Sequence, residues 1–280
     1  MSKIFFSLRS AWDQFLELFK DTPELPPVKE TEPKPVVIDP VQTGSSIPER
    51  TDNLPLPTPS VKKEKLLWYP HRIQVAYAQK LTMRTIGKYP YGYPQGAVVH
   101  FTAGRTKGTS KYSDADITKI FIENSCNEKK FCYFIIDPKG NIYQQFPLNE
   151  WGYHAGESSW QGLKGTVSNE LVGIEVMCAG KVEKEGSQFK SWFGETYSEK
   201  EVRYSDKNKN IEKGYYHKYT AEQEKGLIKL LQWLKENGQG IFEYKYVLGH
   251  DEVAPTRKND PGASLSTTMS EFRVKLENIK

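Results

Sequence analysis

Residues 249–262 read Gly-His-Asp-Glu-Val-Ala-Pro-Thr-Arg-Lys-Asn-Asp-Pro-Gly, which puts the imidazole of His250, the ammonium of Lys258 and several carboxylates within one short stretch. Far upstream, Val98 and Val99 lead into a second imidazole, His100, followed by Phe-Thr-Ala-Gly. Two imidazoles and one carboxylate can hold a tetrahedral Zn²⁺ and leave its fourth position open to water, which is the requirement for metal-assisted hydrolysis. The chain has five histidines (His71, His100, His154, His217 and His250), and of these His100 and His250 both end β-branched or apolar runs. Strand ends in open sheets are where sites are usually built. A further carboxylate, Glu175, lies inside the run Val172-Gly173-Ile174-Glu175-Val176-Met177. A carboxylate in such a run is costly to bury, and desolvation raises its pKa toward the range of a general base.

The elements that must position these groups follow from periodicity. Strands are expected at residues 97–102, 131–137, 141–146, 171–178 and 244–249, each short and rich in β-branched or aromatic residues. Pro138-Lys139-Gly140 predicts a hairpin between the second and third. Helices are expected at 113–124, after Thr220 and at 270–279. The middle one is marked by a capping box of Thr220 and Gln223, by Leu227, Ile228, Leu231 and Leu234 at helical spacing, and by Gly238 as its stop. The pattern predicts an α/β fold, a mixed central sheet with helices packed on its faces.

Composition bounds the rest. The 280 residues are only 37% hydrophobic, which predicts an unstructured segment. Ten prolines between residues 21 and 61 mark it as a linker. Before it, Phe5, Leu8, Trp12, Phe15, Leu16 and Phe19 form one helical stripe within residues 1–20, read as an amphipathic docking helix. Its polar face mixes charges of both signs, so a protein partner suits it better than a membrane. Arg9, Asp13 and Glu17 break any hydrophobic region, so no Sec-type signal peptide is expected. The folded domain is expected at 62–280. A formal charge of +4, from 39 basic and 35 acidic residues, is too weak to argue for nucleic acid. Three cysteines are too few for a disulfide framework; Cys132 and Cys178 read as buried small hydrophobes.

His100 with Phe101-Thr102-Ala103-Gly104, the run Trp151-Gly152-Tyr153-His154-Ala155-Gly156, the strand Val172-Gly173-Ile174-Glu175, and His250 through Gly262 occur in that order. Together they resemble the zinc-dependent N-acetylmuramoyl-L-alanine amidases of the peptidoglycan-recognition-protein-like fold. The resemblance covers roughly residues 98–265. It implies that His100, His250 and Asp260 hold Zn²⁺, that Glu175 assists the water, and that Lys258 stabilises the oxyanion of the tetrahedral intermediate. It sets His154 near the substrate groove in a substrate or supporting role. Trp151 and Tyr153 either stack on sugar rings or roof the groove, and Arg257 makes a structural or a substrate contact. The implied substrate is bacterial peptidoglycan. The implied setting is a bacteriophage endolysin or a virion-carried wall hydrolase made in the host cytoplasm, with a phage structural protein as partner of the N-terminal helix. The alternatives are a non-catalytic peptidoglycan-binding module and a structural component of a phage particle. Residues 181–219 depart from shorter family members: they are an aromatic-rich insertion expected to fold against the domain.

Overall fold

The computed structural model describes residues 67–73, 87–122, 134–145, 147–208 and 210–279, all within the unit Pro57–Lys280. The docking helix, the proline-rich linker, Cys126 and Cys132 lie outside the described residues.

In chain order the strands are β1 (Gly87–Lys88), β2 (Gly96–Phe101), β3 (Phe134–Ile136), β4 (Ile142–Gln144), β5 (Glu150–Trp151), β6 (Leu171–Val176), β7 (Lys181–Glu185), β8 (Gln188–Lys190), β9 (Thr196–Tyr197), β10 (Val202–Ser205), β11 (Gly214–His217) and β12 (Val247–Gly249). The helices are α1 (Asp114–Phe121), α2 (Val167–Glu170), α3 (Ala221–Asn237), α4 (His250–Val253) and α5 (Met269–Asn278). The central sheet has the order β12-β2-β6-β3-β4. Its first four strands are parallel and β4 returns antiparallel to β3.

Alternation along the strands divides the side chains between two faces. Ala97, Val99, Val172, Ile174, Phe134, Ile136 and Val247 join Leu227, Leu230, Leu231 and Leu234 of α3 and Phe272 and Leu276 of α5 in the main core. On the opposite face Val98, Leu171 and Leu248 pack with Val167 of α2 and Val253 of α4, while Ile135 packs with Ile117 of α1. A parallel sheet buried on both faces needs near-continuous apolar strands, which accounts for the unbroken runs at β2 and β6. The mixed sheet with helices on its faces is the architecture expected from the sequence.

Helix starts follow their capping residues. The Ser113 side chain caps α1 and the Thr220 side chain caps α3, each in a reciprocal capping box. Thr220 Oγ1 also donates to the Pro138 carbonyl, and Gln223 Nε2 donates to the carbonyls of Ile136 and Met177. The head of α3 is thereby tied to the β3–β4 hairpin. Gly140 turns that hairpin at φ 79°, and a Cβ there would strike the Glu222 backbone.

One local expectation changes. Residues 244–246 form a 3₁₀ turn, and the strand begins only at Val247. The insertion carries five strands of its own, in the order β10-β11-β7-β8-β9. They enclose a small core of Ala179, Val182, Phe189, Tyr197 and Val202. No helix among the described residues is long and apolar enough to cross a membrane.

Candidate metal centre and active site

His100 is the fifth residue of β2 and faces away from the main core. His250 follows β12 directly and opens α4. Because β12 and β2 are parallel neighbours, with Gly249 level with Val99, the two imidazoles meet at the carboxyl ends of adjacent strands. Asp260 returns from the loop after α4, held where the Asp251 N–H donates to its carbonyl at 2.7 Å. His100 Nδ1, His250 Nδ1 and Asp260 Oδ2 form a triangle with edges of 2.9, 2.9 and 3.0 Å. All three residues are buried.

Outward hydrogen bonds decide what those nitrogens offer. A carbonyl only accepts, so the contact of His250 Nε2 with the Ala155 carbonyl, at 3.1 Å, puts a proton on Nε2. In the neutral ring this leaves an Nδ1 lone pair turned to the centre. Burial, and next the neighbouring His250, push the pKa of His100 down to about 4, so this ring is neutral near pH 7. Burial alone would raise the pKa of Asp260, but the two adjacent imidazoles outweigh it and hold the carboxyl well below its usual range. Two ring nitrogens and one carboxylate oxygen thus converge in a buried site, a donor set suited to a divalent cation. For bonds of 2.0–2.2 Å a tetrahedral ion needs donor separations of about 3.3–3.6 Å, so the 2.9–3.0 Å edges would open by a few tenths of an ångström around it.

Glu175 stands beside this triangle. It is the register partner of His100 in the β2–β6 pair, so both side chains leave the sheet on the same face. It is 8% exposed, and its Oε2 is buried without a hydrogen-bond partner. Burial, with a smaller contribution from Asp260, pushes its pKa up to about 8, while the positive charge of Lys258 acts the other way. Lys258 is partly buried, and its charge bears on both Glu175 and His100.

The sequence model for N-acetylmuramoyl-L-alanine amidase matches residues 90–263. The chain belongs to this family. Amidase relatives include CwlH of Bacillus subtilis (strain 168), 34% identical over 80 residues that make up 29% of this chain and 30% of CwlH. The chain therefore spans less than a third of that relative's length. Among solved structures, the amidase AmiD from E. coli, in complex with an anhydro-muramyl peptide, shares 20% identity with a TM-score of 0.42, over 69% of this chain and 60% of AmiD. The endolysin amidase LysCS from Clostridium intestinale URNW shares 19% identity with a TM-score of 0.39, over 76% and 99% of the two chains.

In this member of the family the remaining candidate residues divide by what they touch. Arg257 donates to the carbonyls of Ala155 and Glu157 at 2.7 and 2.6 Å, which ties the 155–157 loop to the 254–260 loop. Trp151 packs against the main core, edge-on to Tyr153 at 5.4 Å, and only Tyr153 is well exposed, at 58%. Both ring nitrogens of His154 are engaged inside the protein: Nδ1 with His100 Nε2 at 3.2 Å, and Nε2 with the Leu171 carbonyl at 2.9 Å. Residues not singled out from the sequence also support the site. The Tyr219 hydroxyl donates to the His100 carbonyl at 2.9 Å, and Ser168 Oγ accepts from the backbone N–H groups of His154 and Ala155. No sequence motif marks these contacts, since they depend on which strands become neighbours.

The insertion grips the segments that follow two of the triangle residues. Glu195 accepts from Thr106 Oγ1 and from the Tyr197 hydroxyl, both at 2.8 Å. Arg203 donates to the carbonyls of Ala263 and Leu265. One contact set lies six residues after His100, the other within five residues of Asp260.

Proposed function

We propose that this amidase is a zinc hydrolase that cleaves the amide between N-acetylmuramic acid and L-alanine in peptidoglycan. The reading rests above all on the convergence of His100, His250 and Asp260 beside the buried, unpartnered carboxyl oxygen of Glu175, in a chain of this family. His100 Nδ1, His250 Nδ1 and Asp260 Oδ2 would hold the ion. Bound zinc supplies Lewis acidity, polarising a carbonyl and acidifying water. Glu175 Oε2 accepts the proton of the attacking water and delivers it to the leaving amine. Beside a bound cation Glu175 would be held in its carboxylate form, ready to accept a proton. Lys258 holds its ammonium toward the oxygen on which negative charge develops. Tyr153, exposed at the rim beside Trp151, offers an aromatic face to a sugar ring. Phage-mediated wall degradation suits the sequence pattern of residues 1–61, a docking stripe followed by a long proline-rich tether.

The test incubates the full chain with purified peptidoglycan, with and without a chelator, and identifies the new ends. Free N-terminal alanine on intact stem peptides, lost with chelator and restored by zinc, is the expected result. New reducing sugar ends would assign a glycosidase instead, and binding without any new ends would assign a recognition module.

A further inference from the structure

His154 is held from three sides. Its backbone N–H donates to Ser168 Oγ at 3.2 Å. Its ring lies on β6 where the strand has no side chain: a Cβ at Gly173 would come within 2.8 Å of His154 Cγ. Glycine inside an apolar strand often marks such a close approach. Its Nε2 meets the carbonyl of Leu171, two residues away on the same face of β6. That carbonyl can only accept, so His154 carries its proton on Nε2 and presents a bare Nδ1 to its neighbour. The neighbour is His100 Nε2, which must then be the donor in the 3.2 Å contact. In a neutral imidazole the other nitrogen of His100, Nδ1, is thereby left as a lone pair, and it is this nitrogen that stands 2.9 Å from Asp260 Oδ2 and His250 Nδ1. The Leu171 carbonyl thus sets the proton positions of two rings in series.

We propose that His154 is a positioning residue of the metal centre, fixing the tautomer and orientation of His100 so that its Nδ1 lone pair faces the other two donors, and that Gly173 is the seat that lets it do so. The proposal rests on reading the triangle as a metal site. It assigns the histidine of the Trp-Gly-Tyr-His-Ala-Gly run to the metal rather than to the substrate. Partners of this kind typically change metal affinity by about 10–100-fold.

Two measurements on the full chain test it. Zinc affinity is determined by competition with a chromophoric chelator for the wild type, for His154→Phe, which keeps a ring but no nitrogens, and for His154→Asn, whose amide oxygen can occupy the place of Nδ1. We expect about 10–100-fold weaker zinc binding for His154→Phe and a smaller loss for His154→Asn. Zinc affinity equal to wild type, with activity lost through KM alone, would make His154 a substrate contact and overturn the proposal. The second measurement needs no variant: ¹⁵N-detected NMR of the imidazoles in the zinc-loaded wild type should place the proton of His100 on Nε2 and that of His154 on Nε2. A bare Nε2 on either ring overturns it as well. Failure of the wild type to bind zinc would instead remove the metal reading on which the proposal rests.

Discussion

Glu175 shows how much of this site is decided between neighbouring side chains. Sequence marks it as a carboxylate in an apolar run, but its role depends on standing level with His100, and that register belongs to the pairing of β2 with β6. Glu175→Gln and Lys258→Ala should each leave zinc bound and lower turnover by about 10²-fold or more. Metal content and kcat on soluble peptidoglycan fragments, measured on the same samples, separate these variants from ones that lose the ion. The meeting of His100, His250 and Asp260 was legible because imidazoles at strand ends are few in this chain. The contacts of Arg257 and His154 were not, because carbonyl partners leave no trace in side-chain identity. His217 supplies an independent test away from the centre. Its Nδ1 accepts the Ala179 N–H at 3.2 Å, its ring stacks on Tyr197 at 4.1 Å, and burial pushes its pKa down to about 4. The unfolded imidazole takes up a proton below about pH 6.5, the folded one only below about 4. The unfolded state therefore binds more protons in that window, and stability is lost as pH falls through it. The shift corresponds to about 3 kcal/mol at most. His217→Phe should be less stable at pH 7 and show a flatter fall of Tm between pH 6.5 and 4.

Among the elements, α3 was the most legible, because its start, apolar stripe and stop are all local signals. Thr220→Ala removes both the cap on Gln223 N–H and the bond to the Pro138 carbonyl. It should cost about 1–2 kcal/mol, read as a lower denaturant midpoint at unchanged slope. The strands of the insertion were hidden for a physical reason. They are two to five residues long, and β7 reads Lys-Val-Glu-Lys-Glu with only Val182 buried, so the alternation that marks a strand is nearly absent. Residues 244–246 erred the other way. Tyr-Lys-Tyr has strand character, but the chain must turn there to bring Val247 beside Ala97, and the Tyr246 N–H bonds back to Glu243. Tertiary pairing outweighs local preference at such short segments.

For the molecule as a whole, the class of fold was legible because apolar runs and helical stripes alternate along the chain, whereas the joining of distant parts was not. If the triangle binds zinc, removing the ion leaves a carboxylate and two imidazoles buried without a cation. Chelator should therefore lower Tm and added zinc should restore it, by about 2.7 kcal/mol of stability at a free zinc concentration 100 times Kd. The separation of the donors has a further outcome. His100 and His250 are 150 positions apart, and Asp260 follows still later. A ribosome adding about 5–20 residues per second needs roughly 8–30 s to travel from one histidine to the other. Throughout that interval the nascent polypeptide holds a single donor of the set, and β2 has yet to gain its neighbour β12. On the zinc reading, a chain released before residue 250 lacks two of the three donors, and it should neither bind the ion nor cleave peptidoglycan.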